Sequence, residues 1–524
     1  MPAEVASQEE TVSPASASES WPHKLRAIAS SQPLLWAALT CLFAALPLFF
    51  IKHARLADPD IWWHMRTGEW IVQSHRIPRV DPFSASTLGR PWVDYSWIFD
   101  LGSYWVVSQF DLSSIVWFEM LMRLAVTAII FGMVRALTPN FWKAVGLTAL
   151  AMLAMAAALP PRPGTLTLVF FVLEFYVLVL AQRRLDARLL WILPGLFILW
   201  ANIHIEFVLG LFLLGVFCAE PILDRLLRVT RAPASALDGF HRQLRFVFFS
   251  SCLGTLANPY GPKLFADIFQ YARDTKIYDI IVEFHAMHFR SLNDWAVLSL
   301  LMLACFALGR IRPLRTTWVV LLAWAAWMGF RSLREAWLVA VLSAVIIASY
   351  DGEEDQDSRK RVAISLGTWS AVAASVALLL LIGAGIWSLT SQRLLRQVAE
   401  TYPLGAVRYI RQNHLQGPML NELSWGGFLI YAVPEIPVAM DGRTNVHAQD
   451  EILRALPLWN GEAGWQNRPE LQGANLVISN HAWPLAYLLR GDPRFRVVYE
   501  DSTAVLFEAV HGDKKDSPAA SPTR

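Results

Sequence analysis

The sequence predicts an α-helical polytopic membrane protein with a small α/β domain near its C-terminus. Of the 524 residues, 55% are hydrophobic and only 17% are charged, a composition too apolar for a soluble domain of this size. Runs of about twenty apolar residues recur along the chain, as they do in transmembrane helices. From about residue 400 to about 510 the pattern changes to alternating strands and helices, which is typical of an α/β domain.

Composition and absent motifs narrow the range of functions. The net charge of +2 and the lack of a basic tract give no support for nucleic-acid binding. The four cysteines lie in apolar runs, so we expect neither a disulfide framework nor a redox role. The sequence has no Walker-type loop, no dinucleotide-binding glycine fingerprint and no zinc-type Cys/His spacing. We therefore expect no nucleotide pocket.

The apolar runs predict about eleven transmembrane helices, which together form a membrane domain over residues 33–390. Residues 1–32 are polar and are expected to be disordered and cytoplasmic. The first loop, 52–112, is too polar to cross a bilayer but rich in tryptophan, so we expect short amphipathic helices along the membrane surface. The predicted spans are 33–51, 113–137, 143–159, 164–181, 190–203, 207–223, 245–257, 294–309, 316–331, 336–350 and 366–390.

Residues 391–510 are predicted to form the α/β domain, and residues 511–524 a disordered tail. The strand patterns are ANLVISN and RFRVVYEDSTAVLFEA, and the second pattern is typical of a hairpin. The expected elements are strands over 474–480 and 494–509, the latter turning at Asp501 and Ser502, and helices over Pro403–Arg411 and Ala482–Arg490. The segment DGEEDQDSRKR (351–361) is expected to be a solvated linker.

The positions of Lys and Arg predict a cytoplasmic N-terminus and an outer C-terminal domain. The main basic clusters then fall in cytoplasmic loops: Arg183, Arg184 and Arg188; Arg225, Arg228, Arg231, Arg242 and Arg245; Arg310, Arg312 and Arg315; and Arg359, Lys360 and Arg361. The alternate loops, at 160–164, 202–206, 258–294 and 331–335, fall on the outer side with the first loop. Four arginines of the first loop oppose this assignment, but long loops obey the rule weakly.

The stretch DPDIWWHMRTGEW (58–70) is a polar island in this apolar chain. Asp58 and Asp60 flank a proline where the first predicted span ends, and His64 follows Asp60 by one helical turn. Paired carboxylates at such a boundary can act as a general base or bind a cation. Alternatively, Asp60 is only a cap at the N-terminus of a helix. Glu69 completes the set of ionisable candidates in this stretch.

The tryptophans and later aspartates of the loop allow simpler interpretations. The stretch's three tryptophans can anchor an interfacial helix, although aromatic faces also stack on sugars. Asp81 precedes a proline and suits a turn. Asp94 and Asp100 are weaker catalytic candidates.

Arginines at the ends of other spans are candidates to bind a phosphate. Arg162 lies in PPRPG between two predicted spans, and Arg331 and Arg334 lie at another junction. An arginine at a span end can simply extend its charge towards water. It is also the natural bidentate partner of a lipid phosphate, and stabilising a phosphate leaving group would be a large catalytic effect.

The segment ANIHIEF (201–207) interrupts two apolar spans. It places Asn202, His204 and Glu206 at alternate positions. A single histidine here would more often be structural, but three polar groups at a span end favour a functional role. With His64 and Glu69, His204 and Glu206 are expected to shape the site or to hold a divalent cation.

Two polar stretches of the C-terminal domain allow two interpretations. NELSWGGFLIY (421–431) contains Gly426 and Gly427, which permit a close approach of another chain segment. In PVAMDGRTNV (437–446), a set of polar residues is able to bind a sugar or polymer: Asp441, Arg443 and Asn445. The simpler interpretation, a strand and turn of a small accessory domain, is favoured.

These motifs resemble a known family. DPDIWWHMRTGEWI, with IPRVDPFS and GRPWVDYSWIFD downstream, resembles the long first outer loop of the GT-C superfamily of membrane glycosyltransferases, including uncharacterised bacterial members. The resemblance extends over roughly residues 33–510. It implies a polyprenyl- or dolichyl-phosphate-linked sugar donor and a bacterial inner membrane. It also implies that an acidic residue of this loop, Asp58 or Asp60, is the base, although a proline separates two residues that are adjacent in many members.

The expected function is inverting transfer of a hexose or pentose from a polyprenyl phosphate to a hydroxyl of a glycan, lipid or protein outside the membrane. The expected roles are base for Asp58 or Asp60, phosphate binding for Arg162, Arg331 and Arg334, and site shaping or cation binding for His64, Glu69, His204 and Glu206. One alternative is a transporter or flippase of lipid-linked sugars, in which the same groups line a path. Another is a non-catalytic subunit whose outer domain recruits a polymer.

Overall fold

The structure is a computed structural model that describes six long segments of the chain. These are residues 58–156, 159–227, 235–273, 281–311, 314–350 and 391–510, with isolated residues between 34 and 56 and at 383. Several predicted segments lie wholly or largely outside them: residues 1–32, the spans at 33–51 and 366–390, the linker 351–361 and the tail 511–524.

Up to residue 350 the described chain is helical. Its helices are α1 (Asp60–Ser74), α2 (Trp97–Phe110), α3 (Ser113–Leu137), α4 (Phe141–Ala154), α5 (Pro163–Arg184), α6 (Ile192–Trp200), α7 (Phe207–Leu226), α8 (Ser235–Gly254), α9 (Lys263–Arg273), α10 (Leu292–Arg310), α11 (Thr316–Arg331) and α12 (Ala336–Tyr350). Three short 3-10 turns accompany them: Ala187–Trp191, Val282–Phe284 and Leu333–Glu335.

Five described helices are long and apolar enough to cross a membrane: α3, α5, α7, α10, and α12 with the turn before it. The predicted number of about eleven spans is therefore not confirmed. Helices α4, α6, α8 and α11, which are shorter or less apolar, nevertheless overlap predicted spans. The helical nature of these segments was thus predicted more reliably than their capacity to span a bilayer.

Helix α12 is the core of the helical bundle. It is apolar around its whole circumference, and such a helix is stable only when surrounded by protein or lipid. Nearly all its residues from Ala336 to Ala348 are buried, and it packs against α3, α4, α10 and α11. The spans around it therefore share one contiguous core.

The first loop forms two packed helices, α1 and α2. The two helices approach each other closely at Gly68, where a Cβ atom would lie 2.1 Å from the carbonyl oxygen of Asp100. Helix α1 ends at His75, which adopts a left-handed conformation. The predicted short helices of this loop are confirmed.

The C-terminal region combines short helices with a four-stranded sheet. Its elements are α13 (Ser391–Thr401), α14 (Leu404–Gln412), β1 (Met419–Asn421), α15 (Leu423–Ala432), α16 (Gln449–Trp459), a 3-10 turn (Trp465–Asn467), α17 (Pro469–Gln472), β2 (Leu476–Asn480), α18 (Pro484–Leu489), β3 (Phe495–Glu500) and β4 (Ala504–Ala509). The strand order is β1-β2-β4-β3, with β1 and β2 parallel and the other neighbours antiparallel. The strand over 474–480, the hairpin over 494–509 and both predicted helices are confirmed.

The prediction of a strand and turn for NELSWGGFLIY is wrong beyond its first residue. Residues Leu423–Ala432 form helix α15, which packs against α1. Its two glycines allow that contact, because a Cβ on Gly427 would lie 2.4 Å from the carbonyl oxygen of Pro59. A Cβ on Gly426 would likewise lie 2.1 Å from the carbonyl oxygen of Met440. Tertiary packing therefore determines the structure of this segment.

A buried arginine joins the first loop to the C-terminal region. The guanidinium of Arg443 donates to Asp81 and Asp441, each at 2.7 Å, and all three side chains are fully buried. It also lies between the rings of Phe83 and Trp92, at 5.2 and 4.7 Å from their centroids. Asp441 and Arg443 are thus internal connections between two segments, and they are not exposed to a sugar or polymer.

The remaining candidate of that stretch has a similar place. The side-chain amide of Asn445 donates to the carbonyl of Val93, in the first loop, at 3.0 Å. A backbone hydrogen bond from Ala85 to Val438, at 2.7 Å, adds to the connection. The C-terminal region is therefore packed onto the first loop.

We expect Gly427→Ala to lower stability by about 1–3 kcal/mol, since the new methyl group has no space against the Pro59 backbone. The comparable change Gly102→Ala in α2 meets nothing within 4 Å and should be neutral or slightly stabilising. Thermal unfolding of both purified variants in detergent measures the difference. Equal midpoints for the two variants would contradict the close packing of α15 on α1.

Candidate functional site

Asp58 and Asp60 lie where the chain enters α1. Asp58 accepts a hydrogen bond from the backbone N–H of Asp60 at 2.9 Å, and Pro59 is the residue before the helix. Asp60 is in the first turn of α1, where the helix dipole favours a carboxylate, and its side chain accepts from the indole N–H of Trp63 at 3.2 Å. The helix-end interpretation of Asp60 therefore fits its position but does not explain its contact with Arg162.

Arg162 brings both aspartates together with a third carboxylate. Its Nε lies 2.5 Å from Asp58 and 3.4 Å from Asp60, while its Nη1 lies 2.9 Å from Glu283. Arg162 immediately precedes Pro163, and a proline at the first helical position fixes the start of α5. The guanidinium is 22% exposed, so the cluster is largely but not fully enclosed.

A second arginine extends the cluster. Arg334, in the turn before α12, lies 2.8 Å from Glu206 and 3.8 Å from Glu283. Glu206 immediately precedes α7, where the helix dipole favours a carboxylate. Glu283 thus lies between the two arginines, and the ion-pair network runs without interruption from Asp58 to Glu206.

His204 forms the buried end of the network. Its Nδ1 lies 2.9 Å from the hydroxyl of Thr167 and its Nε2 lies 3.4 Å from Arg334. The Thr167 hydroxyl in turn accepts from the indole of Trp200 at 2.9 Å. Burial lowers the pKa of His204 to about 4, so the ring is neutral at physiological pH.

Burial also controls the ionisation of the aspartates. It raises the pKa of Asp60 to about 6, against the opposing effect of the Arg162 charge. Burial raises the pKa of Asp58 as well. For Arg162, burial acts to lower the pKa, but the charges of Asp60 and Asp58 outweigh it and hold that pKa above its usual value. The site therefore has a permanently charged arginine beside a carboxyl group that titrates near pH 6.

Three predicted site residues make contacts of a different kind. His64 contacts Asp100 at 2.6 Å, where burial lowers the pKa of the histidine and raises that of the aspartate. Glu69 pairs with Arg66, about one turn earlier on α1, at 2.6 Å. Arg331 is exposed and lies over the indole of Trp327.

Sequence reasoning missed Glu283, the carboxylate between the arginines. The available signal was an acidic residue within the apolar run IIVEF, in a loop already assigned to the same side as the other candidates. Asn202, by contrast, was singled out and has a structural role. Its side-chain amide donates to two backbone carbonyls and its oxygen accepts from Trp97.

The side chains expected to shape the site or to hold a divalent cation are His64, Glu69, His204 and Glu206. Within the parts of the chain that the structure describes, no group of three or more His, Cys, Asp or Glu side chains is arranged to hold a metal ion. Asp58, Asp60 and Glu283 surround the guanidinium of Arg162. That guanidinium supplies the positive charge at this position of the site.

The chain is a polytopic membrane protein. Its described part has five apolar helices of membrane-spanning length, and the ionisable network lies at helix ends. No protein-family model matches the sequence, and no curated protein matches it. The chain does match solved structures. The Archaeoglobus fulgidus oligosaccharyltransferase tethered with an acceptor peptide containing the NVT sequon matches with a TM-score of 0.55 and 11% identity, over 85% of this chain and 69% of that chain.

Two further structures from the same organism agree. The oligosaccharyltransferase AglB in complex with an inhibitory peptide and a dolichol-phosphate matches with a TM-score of 0.55 and 10% identity, over 88% of this chain and 70% of that chain. The apo form of the oligosaccharyltransferase matches with a TM-score of 0.52 and 11% identity, over 88% of this chain and 70% of that chain. The chain therefore shares its fold with these archaeal oligosaccharyltransferases, in agreement with the fold that the sequence predicts, and at these identities the likeness is one of fold alone.

Proposed function

We propose that the protein is a membrane glycosyltransferase that moves a sugar from a polyprenyl-phosphate donor to an acceptor hydroxyl on the outer side of a bacterial inner membrane. The observation that carries the proposal is the Asp58–Asp60–Arg162 cluster, held at helix ends within a GT-C fold. The related oligosaccharyltransferase folds have been solved with an acceptor peptide and with a dolichol-phosphate, which supports a lipid-borne donor.

In the proposed reaction, Asp60 takes the proton of the acceptor hydroxyl. The acceptor oxygen forms a bond to the anomeric carbon while the bond from that carbon to the phosphate oxygen breaks, and the polyprenyl phosphate leaves with the electron pair. One displacement inverts the anomeric configuration. Asp60 suits the role because a base with a pKa of about 6 is ionised at neutral pH yet still basic enough to accept a proton.

The arginines have different proposed roles. Arg162 already contacts three carboxylates, so it orients Asp58 and Asp60 and keeps the latter ionised. Arg334 is 27% exposed and is the best placed of the predicted phosphate ligands to meet the leaving group. Arg331, exposed beside Trp327, is proposed to contact the donor at the edge of the site. His64, His204 and Glu206 support these groups, whereas Glu69 pairs with Arg66 and is proposed to take no part in transfer.

The proposal is tested with the purified protein in vesicles that contain a polyprenyl phosphate carrying a radiolabelled sugar. Label that moves to a water-soluble or lipid acceptor, with release of polyprenyl phosphate, supports it. A cysteine introduced beside Asp60 and labelled from outside the cell tests the orientation. Labelling only from the cytoplasm would contradict a donor used on the outer face.

The pH dependence of transfer follows from Asp60. The base must be ionised, so kcat/KM should reach a plateau above pH 6 and fall about tenfold per pH unit below it. The measurement is the pH profile of kcat/KM for the wild type, with Asp60→Asn as the comparison. An acid limb that stays at the same pH in the variant would assign it to another group.

One observation favours the alternative of a lipid-linked sugar transporter. Glu174, near the middle of α5, is fully buried, and neither of its carboxyl oxygens has a hydrogen-bond partner among the described residues. Ionisable groups inside a membrane often mark transport paths. Movement of an intact fluorescent lipid-linked sugar across vesicles, without cleavage and reduced in Glu174→Gln, would favour this function.

A further inference from the structure

A groove beside α1 is separate from the acidic cluster. It lies between α1, α13, α14 and α15 and encloses about 480 Å³. Helix α1 contributes Trp62, Arg66 and Glu69, which share one face because they are spaced by four and three residues. Asp60 and its partner Trp63 belong to another face of the same helix. The groove therefore has lining groups that the proposed reaction does not use.

The charge of the groove is positive. Three arginines line it, Arg66, Arg408 and Arg411, against one glutamate, Glu69. Arg66 pairs with Glu69 through Nη1, while its Nε is buried and donates to no acceptor among the described residues. Arg408 and Arg411 lie one turn apart on α14 and are exposed, and Arg411 lies 3.8 Å from Glu435, an exposed pair that solvent weakens. An anion in the groove would meet Arg408, the Nε of Arg66 and the remaining donors of Arg411.

The walls of the groove are apolar and lie next to the start of a described helix of membrane-spanning length. Leu112 immediately precedes α3, a helix of membrane-spanning length. Leu395 and Val398 lie on α13, which begins directly after the span predicted over 366–390. A surface with aliphatic walls at the end of a span and arginines above them matches a lipid, whose phosphate and acyl chains are joined in that order.

We propose that this groove binds the headgroup phosphate of an anionic bilayer phospholipid, with its acyl chains directed along α3. A glycan is a poorer occupant, because Trp62 is buried edge-on against Tyr402 and Phe428 and offers no free ring face. The bound lipid fixes the C-terminal domain against the membrane surface through Arg408 and Arg411. This proposal does not depend on the proposed transferase function.

The test measures thermal unfolding of the full chain in detergent with added phospholipid. Phosphatidylglycerol should raise the melting midpoint of the wild type by on the order of 5 °C over phosphatidylcholine. That difference should vanish in Arg408→Gln/Arg411→Gln. The matched control, Arg454→Gln/Arg496→Gln, removes two exposed arginines of the same domain outside the groove. In this control the difference in melting midpoint between the two phospholipids should persist.

Several outcomes would overturn the proposal. Equal loss of the lipid effect in the control would mean that domain charge alone attracts the lipid. Equal stabilisation by inorganic phosphate would identify a free-phosphate site, and stronger stabilisation by polyprenyl phosphate would identify a donor site. If the double variant does not fold, a photoactivatable phosphatidylglycerol is cross-linked to the wild type. Cross-links absent from residues 391–412 would then refute the proposal.

Discussion

Asp60→Asn is expected to lower sugar transfer by at least about 100-fold, since a positioned general base typically contributes a factor of 10²–10⁴. The side chain keeps its size, and the buried site no longer needs to hold that negative charge. The protein should therefore remain folded and inserted in the membrane. The measurement is the rate of transfer of radiolabelled sugar in vesicles, with the melting midpoint recorded beside it.

Two further variants test how Asp58 and Asp60 share the role of the general base. Glu69→Gln is the matched control on the same helix. The carboxylate of Glu69 pairs with Arg66, so its removal should affect transfer little. Asp58→Asn removes the 2.5 Å contact with Arg162 and should reduce the rate by loosening the base. Full activity in an Asp58→Asn/Asp60→Asn protein would refute the assignment of the base to this pair.

Arg443→Met is expected to cause a large loss of stability. It leaves the fully buried carboxylates of Asp81 and Asp441 without their shared cation, and breaking such a buried pair costs about 3–5 kcal/mol. Burial alone would raise the pKa of Asp441, but Arg443 and His447 hold it well below its usual value. The carboxylate is therefore charged in the folded protein and depends on the arginine.

The comparison for this variant is Arg90→Met. Arg90 also joins the first loop to the C-terminal region, with two 2.8 Å hydrogen bonds to Glu451, but its side chain is 36% exposed. An exposed pair contributes about 0–1 kcal/mol, so this variant should melt close to the wild type. Arg443→Met should melt lower by on the order of 5–10 °C. Equal midpoints for the two variants would contradict the importance of burial.

Much of the fold was predictable from local sequence pattern. The apolar runs predicted helices α3 to α8 and α10 to α12, although not α9, and the apolar run in ANLVISN predicted β2. Both signals are runs of apolar residues, which short segments carry by themselves. NELSWGGFLIY lacked such a signal, and its helix depends on glycines that face α1 and the loop near Met440.

The candidate site was predictable in part, because charged residues at the ends of apolar runs are also a local sequence pattern. Asp58, Asp60, Arg162 and Glu206 stand out as charges at the ends of apolar runs, and the structure places them in one network. Glu283 was missed because its importance lies in being 2.9 Å from an arginine that is 121 residues away in the sequence. The position of Arg331, beside Trp327, was equally unpredictable.

For Asp58 to Trp70, the sequence by itself determined a polar helix at the end of an apolar run, since composition and periodicity are local properties. The tertiary structure alone decided which charges meet there. Arg162 comes from another helix end, Glu283 from a distant turn, and α15 packs on the start of α1. Ion pairing and desolvation depend on distances in space, so these partners, and the raised pKa of Asp60, exist only in the folded chain.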